Sequence, residues 1–376
     1  MTKKYLLKTY GCQMNVHDSE YIAGVLENLG YESTVDIKET DILILNSCSV
    51  RQAAEDSVYG WGKKLKLLEK KPFVILAGCL AGSATGERAR ITEQYIKAKV
   101  PWVDVVLAPS DLFSLPSILP NTPKSTNSPK SLSYKRLGGT HAWVNISSGC
   151  DNFCTYCVVP YARKEEVSRS QEEIVREIED LVKNGYSEFT LLGQNVNSWG
   201  LSQDEKFKIR LGSNTKLPFA NLLRTICNIN GVTKVEFMSS NPFDFTDDLI
   251  EALKNPKVSR YLHIAVQSGD DEVLAKMNRR HTAKEFLELV TKIKQAVPDI
   301  RIGTDLIVGF PGETEEQFLN TVTLCKKVKF NNAYVAMYSP RLGTVAATFK
   351  NDVSLSEKRK RHKVLLGVIK EYKQVF

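Results

Sequence analysis

The chain contains no apolar run of membrane-spanning length, and Met1-Thr2-Lys3-Lys4 does not open a secretion signal. Its five histidines, His17, His141, His263, His281 and His362, show no metal-ligand spacing, so no role falls to them. Eight cysteines in a long chain without a secretion signal read as metal or redox ligands rather than a disulfide framework. These absences set aside membrane and secreted classes and lead to the expectation of a cytoplasmic enzyme. The length allows two domains with sizeable cores.

Six of the eight cysteines form two triplets. Cys150, Cys154 and Cys157 stand in Ser148-Gly149-Cys150-Asp151-Asn152-Phe153-Cys154-Thr155-Tyr156-Cys157. Three thiolates on one loop are too few for a closed zinc site and too many for one disulfide. They suit a 4Fe–4S cluster with one iron left without a protein ligand. A zinc staple borrowing a fourth ligand is the alternative. Cys12, Cys48 and Cys79 are far apart, but each follows a short apolar run: Tyr5 to Tyr10, Asp41 to Asn46 and Phe73 to Ala77. Helix-like stretches follow at Asp18 to Leu29, Arg51 to Glu69 and Thr85 to Lys99. Alternating strands and helices predict a parallel sheet, whose ligands bind at the carboxyl edge where these cysteines fall. They could converge on a second cluster or, separately, pack as core thiols. Cys227 and Cys325 have no cysteine nearby and read as core thiols.

The net charge of +8 is uneven. Residues 120–138 hold Lys124, Lys130, Lys135 and Arg136 with no acid; residues 350–376 hold eight Lys/Arg against three Asp/Glu. Both could track a phosphate backbone or be plain solvated charge. The expected organisation is a first α/β domain over 1–119, a Pro/Ser/Thr/Asn-rich linker over 120–138, a second domain over 139–349 and a basic helix over 350–376. Strands are expected near 142–147, 188–192, 233–238, 261–266, 302–308 and 333–338, with helices between. Six βα units predict a partial (β/α)6 barrel with its chemistry at the strands' carboxyl ends, where the Cys150 loop lies.

The C-x-x-x-C-x-x-C loop after the first strand of such a barrel resembles the radical S-adenosylmethionine superfamily. Thr9-Tyr10-Gly11-Cys12-Gln13-Met14-Asn15, Asn46-Ser47-Cys48-Ser49-Val50-Arg51 and Gly78-Cys79 resemble the N-terminal domain of its methylthiotransferases. Tyr156-Cys157-Val158-Val159-Pro160-Tyr161, Gly193-Gln194-Asn195-Val196-Asn197, Val266-Gln267-Ser268-Gly269 and Gly309-Phe310-Pro311-Gly312 are similar to their core. The subgroup favoured is the tRNA-2-methylthio-N6-dimethylallyladenosine synthases. The resemblance implies two 4Fe–4S clusters and S-adenosylmethionine as cofactors. S-adenosylmethionine on the open iron would be cleaved by one electron to a 5′-deoxyadenosyl radical that abstracts hydrogen from C2 of an isopentenyl-modified adenosine beside the tRNA anticodon. Sulfur from the Cys12/Cys48/Cys79 cluster, methylated by a second S-adenosylmethionine, would follow. Partners implied are tRNA and an electron donor such as flavodoxin or ferredoxin, with no membrane and a monomeric chain.

Among softer assignments, Tyr156 either stacks on the cofactor adenine or packs under its loop, and Gly309 and Gly312 either admit the cofactor or form a plain turn. Ser168, Arg169, Gln194 and Gln267 are expected at the cofactor, and Asn195 and Arg341 at the substrate. Departures from the family pattern are Lys164 for glycine after Arg163, Asn241 for histidine and Leu342 for proline. The family's C-terminal TRAM domain is expected to be absent. Two alternatives compete: a methylthiotransferase acting on a ribosomal-protein aspartate or another modified tRNA adenosine, and a non-catalytic iron–sulfur carrier. The second would need four ligands per cluster.

Overall fold

Ile42-Leu43-Ile44-Leu45 is apolar at every position and almost fully buried, as a strand covered on both faces must be. It is the centre of a five-stranded parallel sheet of strands Lys4–Tyr10 (β1), Glu32–Ser33 (β2), Ile42–Ser47 (β3), Phe73–Ala77 (β4) and Val105–Leu107 (β5), in the order β2-β1-β3-β4-β5. Alternate residues feed opposite faces. Leu6, Leu43, Leu45 and Leu76 join Val58, Trp61 and Ile96, while Tyr5, Ile42, Ile44 and Ile75 join Ile22, Leu26 and Leu115. Strand order reverses between β1 and β3, which opens a crevice at their carboxyl ends.

The computed structural model describes residues 2–120, 134–135, 139–209 and 213–372. It divides into two units, 1–138 with 157–166, and 139–156 with 167–376. The expected boundaries differ in two ways: residues 157–166 belong with the first unit, and the C-terminal helix belongs with the second. Lys124, Lys130 and Arg136 lie outside the described residues, and Lys135 pairs with Glu27 at 2.5 Å.

In the second unit the six expected strands are His141–Asn145 (β6), Glu188–Leu192 (β9), Lys234–Phe237 (β10), Tyr261–His263 (β11), Arg301–Val308 (β12) and Asn332–Met337 (β13). Between the first two of these, Ser147–Ser148 (β7) and Val167–Ser168 (β8) form a short antiparallel pair. β6-β9-β10 and β11-β12-β13 are parallel sheets, linked by parallel bridges Val235 to Val258 and Ser240 to Ile264. This is the partial barrel. Val144, Phe189, Leu191, Val235, Ile302 and Leu306 form one core with helix residues Ile178, Leu223, Phe286, Leu289 and Phe318. Cys227 and Cys325 lie in that core, where burial pushes their thiols up to about 11 and about 12.

Helices of the first unit differ from expectation, and the stretch Arg51 to Glu69 holds two, Gln52–Tyr59 and Trp61–Leu65. The one expected over 85–99 is Glu93–Lys99, capped by Thr92; before it Gly86 takes φ +69° and the amides of Arg90 and Ile91 donate to Ser83 O. The helix Leu355–Tyr372 is not a solvated basic tail. Leu365, Val368 and Ile369 enter the barrel core, and Lys358 and Arg361 on the same side are 4 % exposed. Lys358 Nζ donates to Tyr338 O at 3.1 Å and Asn351 Oδ1 at 2.8 Å; Arg361 Nη1 donates to Glu313 Oε2 at 2.7 Å. Burial holds the Glu313 carboxyl above its usual range, with Arg361 opposing.

Arg361→Ala leaves Glu313 a buried charge without its partner, so the expected loss at neutral pH is about 3–5 kcal/mol. A carboxyl whose folded pKa exceeds its unfolded value gains stability as pH falls. The deficit should therefore shrink between pH 7 and pH 5 in urea melts of variant and parent. A pH-independent deficit would contradict the buried-charge origin.

Candidate functional site

The register of β1, β3 and β4 aligns Tyr10 with Ser47 and Asn46 with Ala77. Cys12, Cys48 and Cys79 come one or two residues later, at one carboxyl edge. Cys48 N donates to Tyr10 O at 2.7 Å. Two asparagines pin this edge. Asn15 Nδ2 donates to Asn46 Oδ1 at 3.1 Å, and Asn46 Nδ2 donates to Asn15 O at 2.7 Å and Ser19 Oγ at 2.9 Å. A Cβ on Gly11 would meet Asn15 Oδ1 at 2.2 Å, and one on Gly78 would meet Asn46 Oδ1 at 2.2 Å. Gly78 also has φ +85°, so the residues before Cys12 and Cys79 must be glycine, while Ser47 precedes Cys48.

Cys12 is exposed, while Cys48 and Cys79 are buried. Burial pushes the Cys79 thiol up to about 11; Arg163 opposes this, and Cys48 and Cys12 add to it. Val50 N donates to Cys48 Sγ at 3.2 Å, and Arg163 Nε donates to Cys79 Sγ at 3.2 Å. Among the described residues no group of three or more His, Cys, Asp or Glu is arranged to hold a metal ion. The donor set, three soft thiols with N–H groups directed at sulfur, fits an iron–sulfur cluster.

The second cysteine loop starts at Gly149, where φ is +81° and the amide donates to Gln194 Oε1 at 2.6 Å. The segment Lys276–Arg279, which no sequence motif marked, holds the loop. Thr155 N donates to Met277 O at 3.2 Å, Thr155 Oγ1 to Lys276 O at 2.8 Å, and Asn278 Nδ2 to Asn152 O and Phe153 O at 3.1 Å each. Arg279 is buried and donates to Cys154 Sγ at 3.5 Å, Asn241 Oδ1 at 3.0 Å and Ala265 O at 2.6 Å. Cys157 Sγ accepts from Val159 N at 3.4 Å.

The softer assignments fare unevenly. Tyr156 packs with Val273, Met277, Phe310, Tyr338 and Ala346. Gln194 is the one that touches the cysteine loop. Ser168 Oγ accepts from Gly200 N, and Arg169 donates to Asn145 O and Glu177, so both serve local structure. Gln267 is buried with φ +73°, bridged to β12 through its backbone. Gly309 N donates to Glu313 Oε2 at 2.7 Å with Lys358 lying over its Cα, and Gly312 N donates to Asp352; both match a turn filled by the protein's own side chains. Asn195 is fully buried and bonded to Ser198, Asp244 and Asn241. Its carboxamide sits in a polar core, with no face reaching solvent. Asn241, the departure from histidine, links that core to Arg279. Arg341 is buried, its carbonyl accepting from Thr344 N and Oγ1.

Lys164 takes φ +65°, a conformation glycine enters freely and other residues enter at roughly 1–2 kcal/mol. Its ammonium compensates by donating to Gly82 O and Tyr161 O at 2.8 Å each and to Thr85 O. The loop thus keeps a glycine's backbone without the glycine.

The Radical SAM superfamily model matches residues 144–325, and the model described as uncharacterized protein family UPF0004 matches residues 4–107. The chain is 41% identical over 372 residues to a curated tRNA-2-methylthio-N(6)-dimethylallyladenosine synthase of Thermoanaerobacter sp. strain X514, covering 95% of this chain and 76% of that one. It is 40% identical to the Clostridium botulinum strain Langeland enzyme of the same name, covering 98% and 82%. Among solved structures, the radical S-adenosylmethionine methyltransferase TsrM from Kitasatospora setae matches with TM-score 0.60 at 14% identity, over 92% of this chain and 77% of that one, a likeness of fold. With two matched domains and relatives that span nearly all of it, the chain belongs to the radical S-adenosylmethionine methylthiotransferase family, in the group of the tRNA-2-methylthio-N6-dimethylallyladenosine synthases.

Proposed function

We propose that the chain methylthiolates C2 of N6-isopentenyladenosine next to the tRNA anticodon. The observation that carries this is the convergence of Cys12, Cys48 and Cys79 at one sheet edge in a chain that also bears the Cys150/Cys154/Cys157 loop, in a family whose curated members carry that name. When bound, two 4Fe–4S clusters and S-adenosylmethionine supply the one-electron chemistry, the sulfur and the methyl group. The protein supplies placement. β1, β3 and β4 fix the first three thiols. Gln194 and Lys276–Arg279 fix the loop bearing Cys150 and Cys154, and Val159 N donates to Cys157.

An external one-electron donor, such as a flavodoxin or ferredoxin, completes the reading, with the chain working as a monomer in the cytoplasm. No helix among the described residues is long and apolar enough to cross a membrane. Of the basic C-terminal run, Arg359, Lys360 and Lys363 are exposed, Lys360 pairing with Glu315 at 3.7 Å and Glu357 at 3.6 Å, whereas Lys358 and Arg361 are committed to the fold.

Anaerobic reconstitution should give about eight iron ions per chain, and about four when either triplet is changed to Ala. Mass spectrometry of tRNA nucleosides should show the methylthio product with the parent chain and with neither triple variant. The Cys12/Cys48/Cys79 variant should still release 5′-deoxyadenosine. Methylthiolated tRNA from that variant would refute its role as sulfur source.

Changing Arg359, Lys360 and Lys363 to Ala should flatten the log–log salt dependence of tRNA binding by about 0.7–0.9 per lost phosphate contact. Filter binding over a salt series measures it, and an unchanged slope would remove this helix from the RNA contact.

A further inference from the structure

Arg163 is a buried cation on a cysteine sulfur, and no sequence motif gave it a role. Its side chain is 4% exposed, and that of Asp18 10%. Nη2 donates to Asp18 Oδ2 at 2.5 Å while Nε donates to Cys79 Sγ at 3.2 Å. All three residues belong to the first unit. Asp18 comes from the helix Gln13–Asn28 that Cys12 caps, and Cys79 opens the helix Cys79–Gly82. Arg163 follows the turn Val159–Ala162, which lies so close to Gly82 that a Cβ there would meet Ala162 O at 2.0 Å. The guanidinium is therefore held by packing at its backbone and by a carboxylate at its tip. The planar fork then leaves Nε pointing at sulfur.

The ion pair with Asp18 leaves Nε directed at a thiol of the first triplet. We infer that Arg163, oriented by Asp18, sets the electron affinity of the cluster held by Cys12, Cys48 and Cys79. The inference rests on the reading that this triplet holds a cluster. Adding an electron increases negative charge on the cluster and its thiolates. A cationic N–H donor favours that reduced form more than the oxidised one. Arg163 thus raises the reduction potential, and Asp18, a fixed negative charge behind it, lowers it. Arg163 acts through Cys79 and is a positioning residue. Lysine would keep the charge and lose the directed donor.

The test uses the full chain with Cys150, Cys154 and Cys157 changed to Ala, so that the first triplet reports alone. Anaerobically reconstituted protein is titrated with reductant and followed by electron paramagnetic resonance, with Arg163→Gln, Arg163→Lys or Asp18→Asn added. Arg163→Gln should make reduction about tenfold less favourable, a shift of about 59 mV to more negative potential for one electron. Arg163→Lys should shift the same way by less. Asp18→Asn should shift to more positive potential. Lost packing would move both halves of one ion pair alike, so opposite signs identify an electrostatic role. Unchanged midpoints, or shifts of the same sign from Arg163→Gln and Asp18→Asn, overturn the inference. If Arg163→Gln holds no cluster, the signs for Arg163→Lys and Asp18→Asn decide by themselves. A parent that holds no cluster overturns the reading of the triplet and the inference with it, and iron content alone reveals that case.

Discussion

The first site depends on the hydrogen bonds between Asn15 and Asn46. Both side chains are fully buried, and each occupies the space a Cβ would need on the glycine before a cysteine. Buried amides are tolerated only when satisfied, and these satisfy each other and Ser19. Their mutual bonding locks the end of β3 to the start of the first helix, and with it the spacing of Cys12, Cys48 and Cys79. Sheet register brings the sulfurs to the edge; the asparagine pair determines how the chain leaves it.

The second unit solves the same problem with a different device. Its cysteine loop has little regular structure of its own, and left-handed backbone at Gly149 and Phe153 shapes it. Stiffness is borrowed from Lys276–Arg279, more than a hundred residues later, and Asn278 is itself left-handed. Residues in such conformations persist where surrounding contacts over-determine them, and they gather at functional sites. Arg279 then ties the loop to the polar core of Asn241, Asn195 and Asp244.

Much of this was legible in the sequence. Short apolar runs gave all six barrel strands within a few residues, because period and apolarity report burial directly. The common edge of Cys12, Cys48 and Cys79 was legible because thiols are rare and their contexts repeat. Arg163 and Arg279 were not: a charged residue reads as solvent-facing unless its counter-charge is known, and Asp18 lies far from Arg163 in sequence. The C-terminal helix was misread for a more avoidable reason. Lys358-Arg359-Lys360-Arg361 looks like one basic patch, yet residues 358, 361, 365, 368 and 369 lie on one helical face with the apolar positions. Two of the four cations were bound to point inward.

The assignment of residues 157–166 to the first unit has a consequence for how the chain is made. During synthesis the N-terminal sheet emerges with Asp18 and Cys79 already on it, while Arg163 is still to come. Until some 160 residues have been joined, Asp18 must stay wet or stay unpaired, so the edge that carries the sulfurs is the last part of its own unit to close. By then β6 of the second unit has also been made. The two units are interleaved in sequence and therefore in time, and a chain cut at the linker would end with the sheet built and its sulfur edge unfinished.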